Sequence, residues 1–293
     1  MRNKTRNIFF VFGIIAIIVM LFTFKVSFAE LWADILHAGY WLVAILGLWV
    51  ILYIMNAYAW RIIIRGSGDC PIPFWKILKV TITGFALNYA TPAGLMGGEP
   101  YKILEVKLYI GTQRATSSVL LFAMMHIFSH FCFWATSIIV YVALAMNGIT
   151  SLGTGMGIIL LLMAIFCGGG IYLFIRGYKN GMVVKILTCI SHIPGLKKWT
   201  RTLIETHKED LQKIDIQISE LHSQNRKSFY ASFGLEYVGR ILQSCEIYFM
   251  LILFEAGDGG MLTFVYSFLI LSFTSLFANL LFFMPLQLGG REG

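Results

Sequence analysis

Apolar runs of about 20 residues, the length that spans the hydrocarbon core of a bilayer as a helix, recur along this chain at Ile8–Phe24, Tyr40–Trp60, Ser117–Met146, Gly155–Ile175, Phe229–Phe254 and Met261–Phe283. Lipid offers no partner to a backbone amide, so each such run must satisfy its own hydrogen bonds, and a helix does so within one segment. The expected fold class is all-α, a polytopic transmembrane helical bundle. Composition excludes a water-soluble domain: 58% of the 293 residues are hydrophobic, 13% are charged and the mean hydropathy is +0.75. Lipid is then the main solvent, and the 24 Phe and seven Trp serve as lipid-facing bulk and interfacial anchors.

The formal net charge of +8 would suit a nucleic-acid partner only if the basic residues shared one folded face. They lie between the apolar runs instead, so they act as topology determinants and no nucleic acid is expected. Arg2, Lys4 and Arg6 precede the first run, Arg61, Arg65, Lys76 and Lys79 follow the second, and Lys102, Lys107 and Arg114 precede the third. The opposite loops, Lys25–Gly39, Asn147–Thr154 and Glu255–Gly260, hold a single Lys among several acids. By the excess of Lys and Arg on the cytoplasmic side, the N-terminus is cytoplasmic. The first run lacks a small-x-small cleavage site and is followed by further spans, so it reads as an uncleaved helix rather than a signal peptide.

Arg61–Lys79 and Lys102–Arg114 both count as cytoplasmic, yet Ile77–Pro92 between them is mostly apolar. One full crossing there would break the parity, whereas a re-entrant hairpin that enters and leaves on the same side keeps it. Broken backbone at membrane depth is tolerated only inside protein or against a wet cavity. The bundle is therefore expected to carry one or two re-entrant broken-helix loops.

The tip of that hairpin would be Asn88-Tyr-Ala-Thr-Pro-Ala-Gly-Leu-Met-Gly-Gly-Glu-Pro100, through which Pro92, Gly97, Gly98 and Pro100 prevent a continuous helix. Its glycines leave amide groups approachable, and Glu99 places a carboxylate where desolvation is costly without a partner. Lys102, Arg240 or the amine of a lipid head group could pair with it; the plainer reading is Glu99 in the first turn of a helix. A second Asn, Pro, Gly-Gly, Glu sequence closes the chain, Asn279 to Glu292 through Pro285, Gly289, Gly290 and Arg291. Two broken segments of one pattern suggest an inverted repeat around a midplane binding site.

Glu236, Arg240 and Glu246 interrupt the fifth run, and Glu236 and Arg240 are spaced i,i+4 on one helix face. Ionisable residues inside the membrane face the bundle interior and mark a pathway, unless the pair only braces helices. The candidate substrate-binding set is thus Asn88, Pro92, Gly97, Gly98, Glu99, Lys102, Glu236, Arg240, Pro285, Gly289, Gly290, Arg291 and Glu292. His126 and His130 also share i,i+4 spacing, but neither an HExxH motif nor a third ligand accompanies them, and interhelical hydrogen bonding to serines is the better reading. The five cysteines are scattered with no CxxC pair, so neither a disulfide framework nor a metal site is expected. Gly153, Gly155, Gly157 and Gly168–Gly170 read as close helix packing or a hinge rather than as a phosphate loop.

Residues 176–228 form the one long polar region, with ten basic and five acidic residues between Arg176 and Lys227. A cytoplasmic, basic, amphipathic insert is expected, broken at Pro194-Gly195. It could lie against anionic head groups or serve as a solvated linker.

Asn88–Lys102, the long helical pair that follows, the basic insert and the Pro285…Gly289-Gly290-Arg291-Glu292 ending together resemble the transmembrane region of lysylphosphatidylglycerol synthases, a flippase-like domain that also occurs alone. The similarity covers nearly the whole chain, as a single domain over 1–293. It implies a multi-pass protein of the bacterial cytoplasmic membrane that flips an aminoacylated phospholipid. In that family a separate soluble domain performs aminoacyl transfer, and no such domain stands here, so the resemblance implies a non-enzymatic membrane part and a soluble partner encoded elsewhere. Family members continue past the second Gly-Gly motif into further helices, so a chain ending at Gly293 is expected to be truncated.

The leading expectation is translocation of a phospholipid or lipid-linked substrate. An intramembrane transferase is the alternative, although the carboxylates are isolated rather than paired for acid–base work. A membrane subunit of a synthase-like system, docked through the insert, is a third. No GxxxxGK[ST] is present and no cofactor is expected, so transport would run downhill or draw on an ion gradient or membrane potential through residues such as Glu236. The sequence sets neither the lipid nor the oligomeric state.

Overall fold

The computed structural model describes residues 28–90, 98–180 and 226–280, together with the single positions 188, 209, 211 and 216. These residues form seven helices and no strand: α1 (Phe28–Gly66), α2 (Phe74–Ala90), α3 (Gly98–Ile110), α4 (Thr112–Met146), α5 (Thr154–Asn180), α6 (Arg226–Leu253) and α7 (Met261–Leu280). The all-α expectation is met. Four stretches are long and apolar enough to cross a membrane, Ile35–Gly66, Thr112–Met146, Thr154–Arg176 and Met261–Leu280, and they fall on four of the expected runs.

The run Phe229–Phe254 coincides with α6, whose five charged side chains keep it less apolar than those four. Ile8–Phe24 and most of the insert lie outside the described residues. Helix α1 extends well beyond its expected run, because backbone hydrogen bonding does not stop where the side chains turn polar. It is interrupted at Gly39 (φ 51°, ψ −126°), and residues 40–66 alone make a helix about 40 Å long, more than the roughly 30 Å of the hydrocarbon core.

The chain divides into two compact units. The first comprises the described residues among 1–53, 79–101 and 241–293. In it the Trp41 and Phe249 rings lie 5.5 Å apart and those of Tyr53 and Phe85 5.9 Å apart. The turn from α6 to α7 is closed by Asp258, whose Oδ1 accepts from the Gly260 amide (2.9 Å) and the Thr263 hydroxyl (2.5 Å). Donors at the start of α7 are thereby satisfied by a side chain. The same two bonds, the Thr263 hydroxyl foremost, hold the Asp258 carboxyl below its ordinary value.

The second unit comprises 54–78 and the described residues of 102–240. Trp60, Ile63, Ile77, Val106, Val119 and Phe122 are buried in it, and the Trp60 indole N–H donates to Ser118 Oγ at 3.4 Å. Arg114 donates to the carbonyls of Ile64 (3.4 Å) and Asp69 (3.0 Å), so this residue, read from sequence as a topology signal, also serves the last turn of α1. A one-residue break at Gly111 (φ 79°) separates α3 from α4, a conformation open to a residue without Cβ.

Helices α4 and α5 form an antiparallel pair. The Phe128 and Phe174 rings stack at 4.1 Å, and Gly170 lies so close to the Phe131 ring that a Cβ there would overlap it. On its far side α5 exposes Leu161, Leu162, Ile165 and Leu173, a surface suited to lipid rather than water. Hydroxyls within α4 are satisfied locally: Ser117 donates to the Gln113 carbonyl at 2.9 Å, and Ser129 and Ser137 to those of His126 and Trp134 at 2.7 Å. Such back-bonding lets a polar side chain persist in an apolar helix.

Candidate functional site

Four side chains at i,i+4 spacing, Phe122, His126, His130 and Trp134, make a continuous ring column on one face of α4. Successive centroids are 6.4, 5.4 and 5.2 Å apart. The spacing follows from 3.6 residues per turn, which stacks every fourth side chain on one face. Within this column His126 meets α6. Its Nδ1 lies 2.7 Å from Glu236 Oε2, and the Arg240 guanidinium Nη2 lies 2.5 Å from its Nε2.

Nη2 also lies 3.0 Å from Nδ1, and of the two neutral tautomers the one protonated on Nδ1 satisfies both shorter contacts. A carboxylate can accept but not donate, and a guanidinium can donate but not accept. The ring must then carry its proton on Nδ1, donated to Glu236, and present the Nε2 lone pair to Arg240. His126 is therefore a neutral bridge between an anion and a cation one turn apart on α6. The expected Glu236/Arg240 pair shares a face as foreseen, and it is joined through a histidine from another helix.

Glu236 is deeply enclosed, its side chain 3% exposed, whereas that of His126 remains 27% exposed. One Glu236 oxygen receives the His126 proton; the other, Oε1, is buried and accepts no hydrogen bond among the described residues. Lys102 on α3 is 2% exposed, with its ammonium 5.3 Å from the Phe122 ring centroid, a cation–π arrangement. Together with Arg240 it acts on Glu236 and His126 through space. Two cations, one carboxylate and one neutral imidazole thus lie together in the second unit, where burying charge is costly without partners.

A separate arrangement surrounds the expected hairpin. Asn88 near the end of α2 accepts the Gly98 amide on Oδ1 at 2.7 Å and donates from Nδ2 to Glu99 Oε1 at 3.3 Å. Gly98 packs against α2 so closely that a Cβ would overlap the Gly84 carbonyl oxygen. Lys76 near the start of α2 pairs with Glu105 of α3. Each of these contacts joins α2 to α3.

Of the thirteen residues proposed from sequence, Asn88, Gly98 and Glu99 meet at that hairpin, and Lys102, Glu236 and Arg240 belong to the charged cluster. Pro92, Gly97, Pro285, Gly289, Gly290, Arg291 and Glu292 lie outside the described residues. Sequence reasoning missed His126 as a member of the site. The signal was its place in an apolar run, since an intramembrane histidine needs a partner. Among the described residues no group of three or more His, Cys, Asp or Glu is placed to hold a metal ion, and both ring nitrogens of His126 are already engaged.

A multi-pass helical membrane protein with an ionisable cluster among its helices is the class this architecture defines. Residues 8–293 match the sequence model of the lysylphosphatidylglycerol synthase TM region, and the chain belongs to that family. Neither a curated protein nor a solved structure matches it.

Proposed function

We propose that this protein moves a phospholipid across the bacterial cytoplasmic membrane, its head group passing the Lys102, His126, Glu236 and Arg240 cluster while the acyl chains stay in the bilayer. The observation that carries the reading is the cluster itself. Arg240 and Lys102 supply donors suited to a phosphate, and the 27% exposure of His126 gives a ligand access to the edge of the site. Family membership supports a lipid substrate over a soluble one. The α2–α3 hairpin, clasped by Asn88, is the re-entrant element in this reading, with both of its ends on the cytoplasmic side beside the N-terminus. Membrane phospholipids are the partners, and a separately encoded soluble synthase would supply an aminoacylated one.

Photo-crosslinking with a phosphatidylglycerol analogue that carries its reactive group on the head tests this placement. Peptides of α4 and α6 around His126 and Arg240 are the expected products. Labelling confined to the outer face of α5, at Leu161 or Ile165, would rule out passage through the cluster.

A further inference from the structure

The cluster has one hydrogen-bond acceptor left over. His126 uses its Nδ1 proton on Glu236 and its Nε2 lone pair on Arg240, and Lys102 and Arg240 have no lone pair to offer. Glu236 Oε1 remains, buried and without a donor among the described residues, on a residue 5% exposed. A buried carboxylate oxygen in that condition calls for a proton or a donor from a ligand. A cationic ligand group there would come beside Arg240 from α6 and Lys102 from α3, so a proton fits better than an ammonium. His130, whose Nδ1 is likewise buried without a partner, lies behind His126 in the ring column.

Charge arithmetic gives the consequence. Glu236 is either ionised or protonated, and protonation makes the cluster more positive by one charge. A phosphate approaching the cations is repelled by the carboxylate in the first state and not in the second. We infer that Glu236 binds a proton on Oε1 together with the anionic head group, so that this protein couples movement of the lipid to movement of a proton. The step adds one proton from the aqueous phase to Oε1 and returns it to water when the phosphate leaves; no other bond changes. Binding linkage is reciprocal, so the proton strengthens phosphate binding by the factor by which phosphate strengthens proton binding. The inference rests on the lipid-translocating reading of the same cluster.

Calorimetric titration of the full-length protein in detergent with dihexanoylphosphatidylglycerol, in two buffers of different ionisation enthalpy between pH 5.5 and 8.5, tests it. Inorganic phosphate is titrated in parallel. The wild type is expected to take up close to one proton per lipid at the alkaline end, its affinity falling by up to about tenfold per pH unit there, the limit for one linked proton. Glu236→Gln, which imitates the protonated side chain, should bind with pH-independent affinity and take up none. Lipid binding by the wild type without proton uptake at any pH overturns the coupling and leaves the lipid reading standing. Uptake with phosphate and no binding of lipid keeps the coupling and contradicts the lipid reading, and binding of neither probe contradicts both. The wild-type proton count decides the matter even if the variant fails to fold.

Discussion

His126 Nδ1 lies 2.7 Å from Glu236 Oε2 across the α4–α6 interface, and the same ring accepts a hydrogen bond from Arg240. The imidazole thus keeps a carboxylate and a guanidinium one helical turn apart while satisfying both. Replacing it does more than remove one contact, because it strands a buried charge.

His126→Leu is expected to lower stability by about 1.5–3 kcal/mol, the range for losing a hydrogen bond to a charged group in a buried site. Adding Glu236→Leu should recover much of that loss, since the stranded carboxylate goes with it. Denaturant unfolding in detergent, read as a double-mutant cycle, checks this; simple additivity of the two losses would show that the bridge contributes nothing as a unit.

Gly98→Ala is expected to destabilise by about 1–3 kcal/mol, the range for forcing extra volume into a packed site, because the new methyl group would meet the Gly84 carbonyl oxygen. Asn88→Leu should cost a similar amount, about 1–3 kcal/mol, by leaving the Gly98 amide without its acceptor. Thermal melting of the two variants and their combination reads both. A wild-type melting temperature in Gly98→Ala would mean the hairpin is looser than its contacts indicate.

Asp258 gives a pH dependence of definite sign. Its folded carboxyl is held below its ordinary value by Thr263 and Gly260, so it stabilises the fold above the unfolded value of about 4 and loses that contribution as the pH falls through its folded value. The difference in melting temperature between wild type and Asp258→Asn should be widest near neutrality and shrink in acid. A difference that widens on acidification would reverse the assignment.

Much of the fold could be read from the chain because lipid simplifies the problem. Tyr40–Trp60, Ser117–Met146, Gly155–Ile175 and Met261–Phe283 needed only length and apolarity, and the described residues of each fall on a helix. The break at Gly39 was not foreseen, since a single glycine in an apolar neighbourhood carries no sign of its φ angle. Glu236 and Arg240 were legible through their i,i+4 spacing within one helix. The bridging role of His126 was not, because the contact joins residues 110 apart in sequence and no local pattern encodes which helices will pack together. Asn88 and Glu99 were placed in one motif, but that the asparagine would clasp both the Gly98 amide and the Glu99 carboxylate depends on the return of α3 along α2.

The central claim, passage of a lipid head group across the cluster, is tested most directly by the rate at which fluorescent phosphatidylglycerol becomes accessible to an external quencher in proteoliposomes, compared between wild type and Arg240→Gln. The expected result is accelerated translocation by the wild type and a loss of about tenfold or more in the variant, since a charge-assisted hydrogen bond to phosphate contributes about 1.5 kcal/mol or more. Equal rates for the two proteins, with the variant folded, would contradict passage through the cluster, and a wild-type rate no faster than that of protein-free vesicles would contradict lipid translocation by this chain.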